Sequence, residues 1–203
     1  MNLPDPIKNF IHHFSKLPSI GPRQATRLSF FMINSGKKEI DGIKKSLEEL
    51  EKMSVCEKCF FVFIPKNDSD KICEICNDKD RNHSLIAIIE KETDLISLEK
   101  TNKFNGVYFV IGDLEKNGIL RSVQKNKLEI LKNIIKKDLG GVAEEIILAI
   151  NPTTYGDFNA SLLNKELKDL AKKITRLGRG IPTGGEIEFA DEDTLSNALE
   201  RRL

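Results

Sequence analysis

The spacing of hydrophobic residues changes along this chain, from helical periods near the start to alternating strands and helices after residue 84. Ile7, Phe10, Ile11, Phe14 and Leu17 recur every three or four residues, which predicts an amphipathic helix. Pro18-Ser-Ile-Gly-Pro22 breaks it, and a second helix begins with Pro22 in its first turn, where a missing N–H costs nothing. Ala25, Leu28 and Phe31 share one face of that helix, and Ile40, Ile43, Leu47, Leu50 and Met53 mark a third. Further on, Leu85 to Ile89, Val107 to Ile111 and Ile146 to Ile150 are short apolar runs of the type buried in parallel sheets. Thr93 and Asp94 can cap a helix carrying Leu95 and Leu98. Lys127 to Leu139 reads as a helix with Leu128, Leu131, Ile134 and Ile135 inward, and Leu162, Leu163, Leu167, Leu170 and Ile174 mark another. This alternation predicts a parallel α/β sheet. Gly178 to Gly185 reads as a loop, Glu186 to Asp191 as an ordinary strand, and Thr194 to Arg202 as a last short helix.

The four cysteines fall between the two regimes, as Cys56 and Cys59, then Cys73 and Cys76, with thirteen residues between the pairs. A two-residue gap lets both sulfurs of a knuckle face one point, and two knuckles supply a closed tetrahedron of soft thiolates, the shell of structural Zn²⁺. Such a shell has no open position, so the ion would hold structure and do no chemistry. The alternatives are two disulfides or four free thiols. Disulfides need an oxidising compartment, and nothing here suggests export. The segment from Phe60 to Pro65, apolar and followed by Lys66-Asn-Asp-Ser-Asp70, reads as a short hairpin between the knuckles.

Composition narrows the classes. No apolar run approaches the ~20 residues of a membrane span. The first residues lack the charged start and apolar core of a signal peptide. A cytoplasmic protein with no membrane contact is expected. Charged residues make up 31% of the 203, yet net charge is only +1. The charge is unevenly placed: residues 1–38 carry Lys8, Lys16, Arg23, Arg27, Lys37 and Lys38 against Asp5, whereas residues 181–203 carry six acids and two arginines. A basic end is what a phosphate-contacting module shows, although ordinary solvated charge gives the same count.

Two segments could carry chemistry. Leu17 to Leu28 joins two helices through a tight apolar-Gly turn, a helix-hairpin-helix. The turn around Gly21 exposes N–H groups at the start of the second helix, where the dipole also favours an anion. Such a site grips a phosphate without reading bases. Arg23 and Arg27, four apart, share the helix face beside it. Common versions have Gly where Ser19 stands, so Ser19 is expected to keep a negative φ. The plain reading is an αα-hairpin with two exposed arginines.

The second segment is Glu90, directly after the first strand, at the edge where such sheets place functional groups. This resembles the Toprim fold of primases and topoisomerases, which has a Glu there and an Asp-x-Asp after a later strand, together holding Mg²⁺. Here Asn151 and Thr153 stand in the places of the two aspartates, and without those charges a hard cation is held poorly. Asp113, after the second strand, does not restore the pair. There is no phosphate loop, no mutual spacing among His12, His13 and His83, and no hydroxyl with a plausible base. No catalytic residue is expected.

A helix-hairpin-helix, a four-cysteine module, a Toprim-like α/β domain and a Gly-rich turn with an acidic tail, in that order, resemble the bacterial recombination mediator family RecR. The resemblance covers essentially the whole chain and rests on Leu17 to Leu28, the four cysteines, Ile150-Asn-Pro-Thr153 and Gly180-Ile-Pro-Thr-Gly-Gly-Glu186. It implies a ring-like homo-oligomeric clamp, a tetramer, associating through its hairpin and C-terminal ends and encircling DNA. It also implies work with RecO and RecF in loading RecA onto gapped DNA. The spacer between Cys59 and Cys73 is longer than usual for the family, and Leu114 to Leu120 is shorter.

The expected architecture is therefore multi-module α/β: residues 1–55 a helix-hairpin-helix DNA-binding module, 56–76 a four-cysteine zinc finger, 84–179 a Toprim-like parallel α/β domain, and 180–203 a C-terminal strand and helix segment for oligomerisation. The expected function is a non-enzymatic mediator. Gly21, Arg23 and Arg27 would contact DNA without sequence preference. Cys56, Cys59, Cys73 and Cys76 would hold one Zn²⁺ per chain, and Glu90 and Asp94 would face a cavity where RecO- and RecF-type proteins dock. The rivals are a metal-dependent Toprim nuclease or primase fragment using Glu90 and Asp113, and a zinc-ribbon adaptor that binds only protein.

Overall fold

The computed structural model describes residues 3–116, 118–200 and 202. The chain divides into two compact units, Met1–Met53 and Ser54–Leu203.

The first unit is three helices, α1 (Asp5–Phe14), α2 (Pro22–Ser35) and α3 (Lys37–Leu50). Ile7, Ala25 and Ser29 are buried where α1 meets α2, and the rings of Phe10 and Phe14 stack at 3.8 Å. Gly36, at φ +85°, turns the chain from α2 into α3. The expected inward face of the third helix is not buried within this unit. No residue of α3 is buried, the helix stops at Leu50 before Met53, and Phe31 and Leu50 are 62% and 61% exposed. Ser19 also departs from expectation. Its φ is +63°, a left-handed conformation that costs a non-glycine residue about 1–2 kcal/mol.

The second unit opens with a hairpin, β1 (Ser54–Val55) paired antiparallel with β2 (Val62–Phe63). The hairpin encloses the first cysteine pair rather than lying between the pairs, because Cys56 N–H donates to the Phe61 carbonyl at 2.9 Å and closes the turn around the knuckle. A single helical turn, α4 (Glu74–Asn77), starts directly after Cys73, its N-cap, and carries Cys76.

Four parallel strands follow: β3 (Asn82–Ile89), β4 (Gly106–Val110), β5 (Ala143–Ala149) and β6 (Ala171–Arg176), in the order β4-β3-β5-β6. Ile86, Ile88, Val107, Phe109, Ile146 and Leu148 form one face, packed against α6 (Ser122–Asp138) and α7 (Thr154–Leu167) through Leu128, Leu131, Ile135, Ala160, Leu163 and Leu167. Ala87, Ile89, Tyr108, Val110 and Ala149 form the other, packed against Leu95 of α5 (Glu92–Glu99) and against Phe61 and Ile75 of the cysteine module.

Three sequence expectations need correction here. The helix expected to run through Ile174 ends at Leu167, and after a 3₁₀ turn Ile174 lies in β6. Leu167, Leu170 and Ile174 mimic a helical period, while the exposed Lys172 and Lys173 of an edge strand hide its alternation. Glu186 to Asp191 is not a strand: Ile187–Phe189 is a 3₁₀ turn whose Ile187 and Phe189 are 68% and 79% exposed. The cap of α5 starts before Thr93: Lys91 is the N-cap residue, and Asp94, in the first turn, completes the cap by accepting the Lys91 N–H at 2.9 Å. The last helix, α8, is Glu192–Glu200; Arg201, within the expected helix, is outside the described residues.

Candidate functional site

The cysteine module folds around its sulfurs. Each two-residue gap is closed by the same bond, Phe60 N–H to the Cys56 carbonyl and Asn77 N–H to the Cys73 carbonyl, both 3.0 Å. Glu57 N–H donates to the Lys71 carbonyl at 2.9 Å and ties the knuckles together. The four Sγ atoms lie within 4.8 Å of one another, all four residues are buried, and none is in a disulfide. Cys59 and Cys73 Sγ are 3.5 Å apart, close to the edge of about 3.8 Å of a tetrahedron built on Zn–S bonds of about 2.3 Å. Main-chain N–H groups of Cys73 and Phe61 point at the sulfurs of Cys56 and Cys59, at 3.3 and 3.5 Å. Such donors stabilise thiolates, so the donor set and its surroundings fit a soft tetrahedral cation. Crowded together, the thiols share hydrogen bonds, foremost that between Cys56 and Cys59, which pulls Cys56 below the usual thiol range.

The hairpin region supplies a different kind of surface. Gly21 is the N-cap of α2, and no side chain caps the helix. The first-turn N–H groups therefore remain available to a ligand. Arg23 and Arg27 are exposed on α2, with no ion-pair partner for either among the described residues.

At the carboxyl edge of the sheet, residues following β3, β4 and β5 converge. Glu90 follows β3, and its Oε1 accepts two hydrogen bonds from Asn151, from the main-chain N–H at 3.1 Å and the side-chain amide at 3.0 Å. Thr153 caps α7, its Oγ1 accepting the Gly156 N–H at 3.0 Å. A Cβ on Gly156 would fall 1.8 Å from the Asn151 carbonyl oxygen, so this turn requires glycine. Glu90, Asn151 and Thr153 line an open cavity of about 590 Å³ together with Leu114, Lys116 and Tyr155. Asp113 is held by Lys91 at 3.6 Å and does not line the cavity. Asp94 does not line it either; its carboxylate is engaged in the α5 cap.

Residues 84–178 match the family model for the Toprim domain, and residues 180–202 match that described as RecR, C-terminal. The recombination protein RecR of Chloroflexus aggregans (strain MD-66 / DSM 9485) is 33% identical over 199 residues, which covers 97% of this chain and 93% of that protein. The chain belongs to the RecR family. RecR of Gloeobacter violaceus (strain ATCC 29082 / PCC 7421) is 34% identical over 198 residues, covering 97% and 96%.

An ion cluster that spacing arguments missed joins Asp157 and Arg176, inside the Toprim match of this RecR-family chain, to Arg179, which lies between the two matched segments. Arg179 forms a fork on Asp157 of α7, with Nη1 3.1 Å from Oδ2 and Nη2 bonded to Oδ1; Arg176 Nη1 meets Oδ1 at 2.6 Å. The Arg179 bonds, then those of Arg176, hold the Asp157 carboxyl down to about 2. A second missed network joins Arg81, just after the cysteine module, to Glu99 through two bonds of 2.9 and 2.6 Å, with Tyr108 OH on the same carboxylate at 2.7 Å. No spacing in the sequence could have announced either, since each joins residues from separate elements.

Proposed function

We propose that this chain is a recombination mediator that binds DNA and performs no chemistry on it. The observation that carries the reading is the pairing of Glu90 with Asn151. Where a metal-dependent Toprim enzyme needs further carboxylates, this chain has an amide that donates to Glu90 and a threonine that caps a helix. A divalent ion would meet one carboxylate already engaged.

Gly21, Arg23 and Arg27 serve in this reading as a sequence-independent phosphate contact. The four cysteines hold one structural Zn²⁺. The cavity beside Glu90, with Asp94 on the helix that follows, is the docking side for RecO- and RecF-type partners, in a cytoplasmic pathway that loads RecA on gapped DNA. The modules are 1–55, 56–76, 84–179 and 180–203. Exposed apolar side chains at both ends, Phe31, Leu47 and Leu50 in one unit and Ile187 and Phe189 in the other, support association of copies into a ring-like tetramer. Among the described residues no helix is long and apolar enough to cross a membrane.

The mass of the protein in solution, with and without DNA, tests this reading. A closed oligomer that takes up DNA supports it; a monomer at micromolar concentration that ignores DNA contradicts it.

A further inference from the structure

Phe60, one residue after a cysteine ligand, has φ +63°. A bulky side chain in the left-handed region is strained, and such strain persists only where the surroundings over-determine it. Those surroundings reach beyond the cysteine module. The Phe60 ring meets Phe109 of β4 edge-on at 5.5 Å and packs against the cores on both faces of the sheet. The Lys127 ammonium of α6 sits over the same ring, 4.6 Å from its centroid.

The main chain of β4 is gripped at the same place. Val110 N–H donates to the Cys59 carbonyl at 2.8 Å, and the Val110 carbonyl accepts from Lys127 Nζ at 2.9 Å. One residue at the open edge of the sheet is thus held by both the knuckle and α6. Lys127 is half-buried and makes no ion pair among the described residues; this carbonyl and the Phe60 ring are its near contacts, and the Glu92 carboxylate favours its charge from further off.

Beyond Val110 the chain enters the segment that rims the carboxyl-edge cavity through Leu114 and Lys116. Gly112, at φ +94°, has Lys127 Nζ 4.0 Å from where a Cβ would stand. Gln124 lies one turn before Lys127 on α6, is 5% exposed, and donates to the Asp113 carbonyl at 2.7 Å. Its own oxygen is buried without a partner among the described residues. The carbonyls on either side of Gly112 are therefore both held by α6, and the hold at Val110 is shared with the knuckle.

We propose that Phe60 and Lys127 form a relay through which metal binding at the four cysteines sets the conformation of residues 111–116, and so of the rim of the cavity beside Glu90. The relay rests on the metal reading of the cysteines. With the ion bound, Cys59 is fixed, Phe60 keeps its strained turn, and Lys127 is held between ring and carbonyl. Without it, the turn loses the crosslink that supports it. The Cys59–Val110 bond and the Phe60–Lys127 contact then weaken together, and Lys127 is free to turn to water. Phe60 and Lys127 are positioning residues: they touch neither the ion nor a partner.

Amide hydrogen exchange on the full chain tests the relay, comparing zinc-loaded protein with protein stripped by a chelator under reducing conditions. Stripping should speed exchange at residues 111–116 by about tenfold, because the Ile111 N–H, bonded to the Ile89 carbonyl at the end of β4, opens more often once Val110 is released, with peptides from the core of β5 and α7 unchanged. Lys127→Met keeps the apolar stem and removes the donor. The loaded variant should hold its full zinc content yet already exchange fast at 111–116, and stripping should add little.

Unchanged exchange at 111–116 in stripped wild type, with residues 54–78 opened, overturns the relay. So does a loaded Lys127→Met that protects 111–116 as well as wild type. If stripping unfolds the whole unit, the loaded variant decides alone. Elemental analysis separates the two readings: purified protein with no zinc ends the metal assignment itself, whereas full zinc without coupled exchange ends only the relay.

Discussion

Glu90 and Asn151 form a closed pair at the carboxyl edge of the sheet, one carboxylate oxygen accepting from both the main-chain and the side-chain nitrogen of Asn151. A carboxylate held this way belongs to the turn between β5 and α7. Supercoiled plasmid should therefore show no nicking above background in Mg²⁺ or Mn²⁺, and Glu90→Gln should change nothing. Nicking that Glu90→Gln abolishes would restore the enzyme reading.

The cysteine module has too small an apolar core to hold itself, so its folding should be linked to its ion. One zinc per chain is expected by elemental analysis, and Cys73→Ala should lose metal and soluble expression together. Intact, folded protein with four free thiols and no zinc contradicts this.

Ser19 stores strain that a glycine would release. Ser19→Gly should stabilise the helical unit by about 0.5–1 kcal/mol, the relief of a left-handed conformation set against glycine's extra unfolded-state entropy. A denaturant midpoint that rises, with an unchanged slope, checks it. A lowered midpoint would mean that the serine side chain contributes more than its backbone costs.

The carboxyl of Asp157 is held down to about 2, from an ordinary value of 3.8, by Arg179 and then Arg176. A depressed folded value means that its contribution is complete above the unfolded pKa and is lost as pH falls from about 3.8 toward 2. The groups are partly exposed, so the contribution is small and salt-sensitive. An NMR titration of Asp157 should show the low midpoint in wild type and an ordinary one in an Arg176→Ala, Arg179→Ala double variant. An ordinary midpoint in wild type would show that the ion cluster does not persist in solution.

Much of this was legible in the sequence, for particular reasons. The knuckles were legible because two Cys-x-x-Cys pairs can turn four sulfurs toward one point, and the strands β3, β4 and β5 because a run such as Ile86 to Ile89 is too short and too uniformly apolar for a surface helix. The strand β6 was not, because Lys172 and Lys173 face water at a sheet edge and the remaining apolar residues fall at helical intervals. Ser19 was misjudged because serine gives no sign of left-handed backbone. The absence of an Asp-x-Asp could be read at Asn151 and Thr153, but their new roles could not: which atom Asn151 donates to depends on the register that brings β5 beside β3. The same is true of Lys127, whose contacts with Phe60 and Val110 depend on packing between elements 50 or more residues apart along the chain for the first pair.

DNA binding carried by the hairpin is the central claim, and charge reversal at Arg23 and Arg27 tests it most directly. With a chain charge of only +1, affinity has to come from a local patch repeated by association of copies. Wild type should bind DNA weakly, without sequence preference, and less as salt rises. The Arg23→Glu, Arg27→Glu double variant should bind at least about tenfold more weakly at low salt, equally for all sequences, with zinc content and helical signal unchanged. Full affinity in the double variant at low salt would contradict the account and move the DNA path to another surface.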